Sequence, residues 1–463
     1  MSSSALSRPG AGGFLASAEH FVRGEGARAP HFLQQLREEA LAAFGRLGLP
    51  GPDDEEWRYT NVAPLVKETF VASPTVVSAR ERVEERGRAL ALDARLGPMA
   101  FTARKQPQIV FVNGRFHAEW SSLEALPAGV TFEPLAVALG KRPHLLETHL
   151  GRYASVDDHA FVALNTAHVR DGVLVHVARG AVVEPSLTVY WVSTGQVAGA
   201  SVTLTAPRTL VILEESSQAS VTEAFVGSGG PTFTNAVTEA FLAPNAVLEH
   251  AKLQREGAEA IHLGNVRIVQ QASSQSRSRV FSFGGKLVRN ETAVLLDGEG
   301  AGTSLDGLFL ASGAQHVDNH TLIDHAKPHG SSQEFYKGIL DGSARGAFDG
   351  RIVVRPRARK TDAHQTNRNL ILSDTALVDS KPQLEIYNND VKCTHGSTTG
   401  RLDETALFYL RSRGLDEAAA RSLLTFAFGS EVVEKVKGSD LYTYLEASLL
   451  SWLSHAKATP EGS

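Results

Sequence analysis

Cysteine is almost missing. One thiol, Cys393, stands in 463 residues, which excludes an internal disulfide and any CxxC or four-cysteine metal site built from this chain alone. A thiolate-rich centre therefore needs a second chain. Also missing are a GxxxxGK[ST] loop to cradle nucleotide phosphates, a GxSxG elbow for a serine nucleophile, an HExxH pair, and a GxGxxG turn between a strand and a helix. If ATP is hydrolysed, another chain hydrolyses it. No apolar run is long enough to span a bilayer. The start, Met1 to Ser17, lacks a basic region followed by a continuous apolar stretch, and it reads as a mobile terminus of a cytoplasmic protein. Neither sign of charge dominates: 46 Lys and Arg against 51 Asp and Glu leave a formal charge of -5. Nucleic acid, whose phosphates ask for a basic surface, is not an expected partner; another protein or a small ion is.

What is present falls into three stretches. Phe21, Phe32, Leu33, Leu36, Leu41 and Phe44 recur at helical spacing until Gly48, Pro50, Gly51 and Pro52 stop the pattern. A charged helix-like stretch from Ser78 to Leu96 and a short strand at Gln108 to Asn113 follow, so residues 1–166 read as a mainly helical module with some strand. Residues 167–400 change texture. Short runs of β-branched and polar residues, such as Val173–Val177, Ser201–Thr205 and Arg351–Val354, alternate with small-residue corners at Ser217–Ser220, Pro244–Ala246, Ala311–Ala314, Asp341–Ala344 and Ser373–Ala376. Several corner intervals fall near ~27–30 residues, the spacing of a solenoid. A β-sandwich shares the pattern, but a parallel β-helix also explains the helical segments at both ends, because terminal rungs need covers. Residues 401–463 return to helix, with Asp403 and Asp416 placed as N-caps of two helices, the second running to about Val436.

The sharpest chemical signal is the segment Tyr387–Gly396. On a strand, residues two apart share a face, so Cys393 and His395 present a thiol and an imidazole on one side, a pair able to ligate one iron. Val391 falls on that face too, which leaves a packed, structural thiol as the competing reading. Four other histidines, His316, His320, His325 and His329, lie among Asp318 and Asp324 and read as solvated or hydrogen-bonding side chains rather than a metal site. Asp297, Asp306, Asp341 and Asp349 each precede a glycine, the expected punctuation of turns, which competes with the paired carboxylates of a carbohydrate-active β-helix enzyme. That enzyme would also need a groove lined by aromatics, of which the sequence gives no sign. The basic stretch Arg351–Lys360 has no interleaved aromatics and reads as a solvated strand edge.

Over Glu334 to Gly429 the segments EFYKGILDGSARGAFDGRIVV, HQTNRNLILSD, KPQLEIYNNDVKCTHGSTTGRLDE and ALFYLRSRGLDEAAARSLL resemble the SufB/SufD family of the SUF iron-sulfur assembly system, and its SufD branch in particular. Glu56–Thr60 adds a weaker likeness. The resemblance implies a right-handed parallel β-helix between helical domains and a non-catalytic scaffold role. It implies a complex with a SufB paralogue and the ATPase SufC, the latter docked on the C-terminal helices around Phe408, Tyr409 and Leu410. It further implies a transient iron-sulfur cluster shared with SufB, with His395 as the matching ligand and Cys393 within the same motif, a part in iron acquisition, and possible use of a reduced flavin by the complex. A single cysteine favours SufD over a SufB-like homodimeric scaffold, which should offer more thiols.

Overall fold

Strands that recur after short corners, with no hairpin between them, bury their apolar faces only if the chain coils and each turn lies on the one before. That is what a computed structural model of the chain shows. It describes residues 12–51, 53–66, 70–72, 77–103, 106–123, 126–195 and 202–456; the first eleven residues, Pro52 and Ser201 lie outside them. Among the described residues the strands form an eleven-stranded and a ten-stranded sheet, and along the core successive strands alternate between the two. Thus Ile261–Gln270 pairs with Leu287–Leu296, while Val247–Arg255 pairs with Gln275–Ser282, both in parallel. The core is a parallel β-helix.

Corners and columns follow from residue chemistry. Ser216, Asn245, Gly313 and Gly342 take positive φ at or beside four of the predicted corners, where short polar residues and glycine tolerate the left-handed region. Inside, the parallel register stacks like on like: Val294, Ile323 and Ile352 form one buried column, each side chain contributing roughly 1.5–3 kcal/mol by burial.

Among the described residues helices cover the N-terminal end, whereas those that follow the last rung pack on the face of the ten-stranded sheet and leave that rung open, against the expectation that both ends are covered. Helices Gly12–Arg23 and His31–Leu47 and the helix Ala79–Asp93, fixed by a reciprocal Ser78/Glu81 capping box, lie at the N-terminal side. Strands before residue 167 also enter the sheets: Gln108–Val112 lies parallel to Leu187–Ser193, and Val130–Pro134 antiparallel to Val173–Val177. At the other end Asp403 and Asp416 cap helices Glu404–Ser412 and Glu417–Val433. A third helix, Asp440–Ala456, follows a break at Gly438; the sequence reading stopped at that break. Its Leu441, Tyr444, Leu445 and Leu449 are buried with Leu308, Leu310 and Ile339 of the ten-stranded sheet.

Two expectations are corrected. Asp306-Gly307 and Asp349-Gly350 are not turns: they lie inside strands Gly302–Ala311 and Arg345–Val354. Glycine is there for room, since a Cβ at Gly307 would strike the Tyr336 ring and one at Gly350 the Gln365 amide. The two aspartates sit in different sheets, so they form no carboxylate pair. Nor is Arg351–Val354 a solvated edge, because its strand is paired on both sides, with His316–His325 and Leu377–Ile386.

The Glu56–Thr60 segment acts as a strap across the eleven-stranded sheet. Trp57 lies 3.9 Å from the Arg289 guanidinium, and Arg289 is paired with Glu291 at 2.8 Å and with Asp318. Thr60 reaches the same cluster through Asp318 and, at 2.9 Å, His316. His320 bonds Asp318 and Arg289, His325 is buried against Ser332 at 2.9 Å, and His329 occupies a positive-φ corner. His316 and His320 thus belong to the Arg289–Asp318 cluster, while His325 and His329 lie apart from it.

Candidate functional site

The two sheets end at residues 377–400. Among the described residues strand Leu377–Ile386 pairs only with Arg345–Val354, and Lys392–Gly400 only with Asp362–Ile371, so the last rung leaves an open edge on each sheet. Leu377, Ile386 and Tyr387 are exposed there. An open edge with apolar side chains is a template for another chain.

Side chains reach this rung in columns. In the ten-stranded sheet alternate residues face the interior, and the register places His250, Ser278, Leu305, Glu334, Gln365 and His395 one above the next. The neighbouring column runs Thr303, Ser332, Ala363 and Cys393. All but the terminal members are buried. His395 is exposed because no further rung covers it, and Cys393 is half-buried, packed with Val391 and Leu384 against the core. The predicted pair therefore does share one face at the open end. The two residues differ chemically, however. Burial, helped by the Asp362 carboxylate, pushes the Cys393 thiol up, so at neutral pH it holds its proton and is the poorer ligand. An exposed imidazole offers its lone pair without that penalty.

Behind His395 the interior is polar. Gln365 Nε2 donates to Glu334 Oε2 at 2.7 Å, and burial drives the Glu334 carboxyl up to about 7 although that hydrogen bond favours its charged form. Ser380 Oγ donates to Asn367 Oδ1 at 2.8 Å and lies 2.7 Å from Ser397 Oγ. Sequence inspection missed Glu334 and Gln365, since residues about thirty apart are neighbours only once the rung length is known.

Among the described residues no three His, Cys, Asp or Glu side chains are gathered where they could hold a metal ion. The terminal rung brings two donors, Cys393 and His395, and a four-coordinate iron needs more. The set fits a shared centre rather than one enclosed by this chain.

A second exposed feature lies on helix Glu404–Ser412. Phe408 and Tyr409 are largely solvent-exposed, Leu410 is half-buried, and Leu423 on the following helix is also exposed. Arg413 stands 5.0 Å from the Tyr409 ring. No helix among the described residues is long and apolar enough to cross a membrane.

Comparison with known proteins places these features in a family. Residues 195–428 match the model of the SUF system FeS cluster assembly SufBD core domain, and residues 101–189 that of the SufBD N-terminal region. The chain is 30% identical to the iron-sulfur cluster assembly protein SufD of Escherichia coli, covering 94% of this chain and 95% of that protein. It is also 30% identical to an iron-sulfur cluster assembly SufBD family protein of Synechocystis, over 87% of each chain. A chloroplastic SufBD family protein of Arabidopsis thaliana is 24% identical, over 88% of this chain and 74% of the relative. With the core match spanning half of the chain and the SufD likeness nearly all of it, the protein belongs to the SufBD family of SUF-system iron-sulfur cluster assembly proteins.

Proposed function

We propose that this protein is a SufD-type scaffold subunit that turns over no substrate itself and helps to build iron-sulfur clusters as cargo in the cytoplasm. A SufB paralogue pairs with the open terminal rung, and a SufC ATPase docks on the C-terminal helices around Phe408, Tyr409 and Leu410. His395 ligates the nascent cluster, takes part in iron acquisition, and is joined by thiolates of the paralogue. Cys393, its thiol held protonated, is secondary. The observation that carries this reading is the inward column surfacing as His395 on an uncovered edge, beside a single half-buried thiol.

The test is anaerobic cluster reconstitution on the complex co-expressed with SufB and SufC partners, comparing wild type with His395→Ala by absorbance and bound iron. The variant is expected to assemble the complex and to lose the cluster. Iron content indifferent to His395 would remove the ligand assignment, and purification with an ATPase but no paralogue would favour a homodimeric scaffold.

The docking half has its own prediction. Because Phe408 is 74% exposed, Phe408→Asp should leave thermal stability unchanged while weakening capture of the ATPase by about 2 kcal/mol or more, as loss of an aromatic anchor does. Undiminished capture, measured by titration of labelled ATPase, would move the docking site elsewhere.

A further inference from the structure

Gln365 is nearly fully buried, and its two amide atoms are unequally served. Nε2 is committed to Glu334 Oε2 at 2.7 Å, whereas Oε1 is buried with no hydrogen-bond partner. While Glu334 is ionised the amide cannot turn over to relieve this, because its oxygen would then meet a carboxylate oxygen. Space for it is reserved by Gly350, the register partner of Pro382 across the interior, where any Cβ would strike Nε2. An orphaned buried acceptor costs free energy until a donor reaches it. The next side chain along the column, in register and on the same face, is His395. It is exposed and free to rotate on its strand.

We propose that Gln365, clamped by Glu334, is the positioning residue for His395, its side-chain carbonyl accepting the His395 ring N–H. Bonding one ring nitrogen fixes the tautomer and leaves the lone pair of the other directed away from the solenoid, toward whatever covers the open rung. Histidines that ligate metals are ordinarily held through their second nitrogen in this way. The inference rests on the reading of His395 as the cluster-facing residue, but it concerns a hydrogen bond that exists or not regardless of cargo. Burial raises the Glu334 carboxyl to about 7, so above that pH, where the experiment is run, it has no proton to give Gln365 Oε1 and serves only as the acceptor of Nε2.

The experiment is nuclear magnetic resonance on the full chain labelled with 13C,15N-histidine, with His395 assigned by its disappearance in His395→Gln. The expected result is a His395 ring N–H proton protected from water exchange, in contrast to His144, whose side chain is 96% exposed. Gln365→Leu should erase that signal, and Glu334→Gln, which keeps an oxygen for the clamp, should retain it. A wild-type His395 ring exchanging as freely as His144 overturns the proposal without recourse to any variant. Titration with Co2+ as the metal probe separates the two ideas. If Gln365→Leu weakens Co2+ binding about 10-fold or more, as loss of such a partner does, and His395→Gln abolishes it, both stand. A protected N–H with Co2+ binding indifferent to His395→Gln keeps the positioning pair and removes the ligand. Binding lost in His395→Gln with no protected N–H keeps the ligand and removes the pair.

Discussion

Arg289→Ala is expected to lower the unfolding free energy by about 3–5 kcal/mol, the cost of breaking a buried ion pair from one side. Arg289 is 2% exposed and Asp318 not at all, so the substitution would strand Asp318 and Glu291 without the guanidinium that bonds both. The carboxyl of Glu291 shows how tightly the cluster is coupled: burial works against its charge, yet Arg289 and Arg267 outweigh burial and hold it down at about 2. The Trp57 strap would lose its stacking partner as well. Urea denaturation followed by tryptophan fluorescence measures the loss. Lys381→Ala is the control, because Lys381 meets Glu55 at 2.7 Å at the same strap but in solvent, where a pair is worth less than ~1 kcal/mol. Equal effects from the two substitutions would mean that the buried cluster does not hold the strap.

Glu334→Gln is expected to stabilise the protein at pH 8 by about 3 kcal/mol and to do nothing at pH 4. The folded carboxyl titrates near 7 against an ordinary value of 4.5. A raised acid binds its proton more tightly in the folded chain, so the stability it contributes is complete below 4.5 and is lost as pH rises through 7. Above that pH the wild type carries a buried charge that glutamine does not. The difference of about 2.5 units corresponds to about 3 kcal/mol. The groups that face Glu334 are Thr321 from one sheet, Gln365 from the next strand, and Asp306 and Tyr336, neither of which supplies a cation. Stability curves of wild type and variant, measured from pH 4 to 8, should therefore diverge between about 4.5 and 7 and run parallel above. A constant offset across the range would show that Glu334 does not titrate there.

The corners and the capped C-terminal helices were legible because each is a local signal. Ser216, Asn245, Gly313 and Gly342 carry backbone demands that short polar residues and glycine meet, and Asp403 and Asp416 accept the N–H groups that they stand next to. Cys393 and His395 share a face because a strand has period two. What resisted reading was everything set by rung length. Alternation says that Gln365 faces inward, but only the register says that Glu334 lies on one side of it and His395 on the other. The same blindness misplaced Asp306-Gly307 and Asp349-Gly350: glycine that makes room for a side chain one rung away looks, in one dimension, like glycine that makes a turn. The His316 to His329 group, read as solvated or hydrogen-bonding side chains, is that, but only the register shows that His316 and His320 join the cluster of Arg289 one rung away.

A stacked coil of this kind also restricts how the chain can change length over evolution. Adding or deleting a whole rung leaves every surviving column in line, so the interior of the remaining rungs is undisturbed. One residue inserted between Asp362 and Gln365 would instead turn the following side chains of that strand to the opposite face, carrying the Gln365 amide to solvent and detaching His395 from everything behind it. Length variation among relatives should accordingly gather at the corners, such as Pro244–Ala246 and Asp341–Ala344, and spare the strands between them.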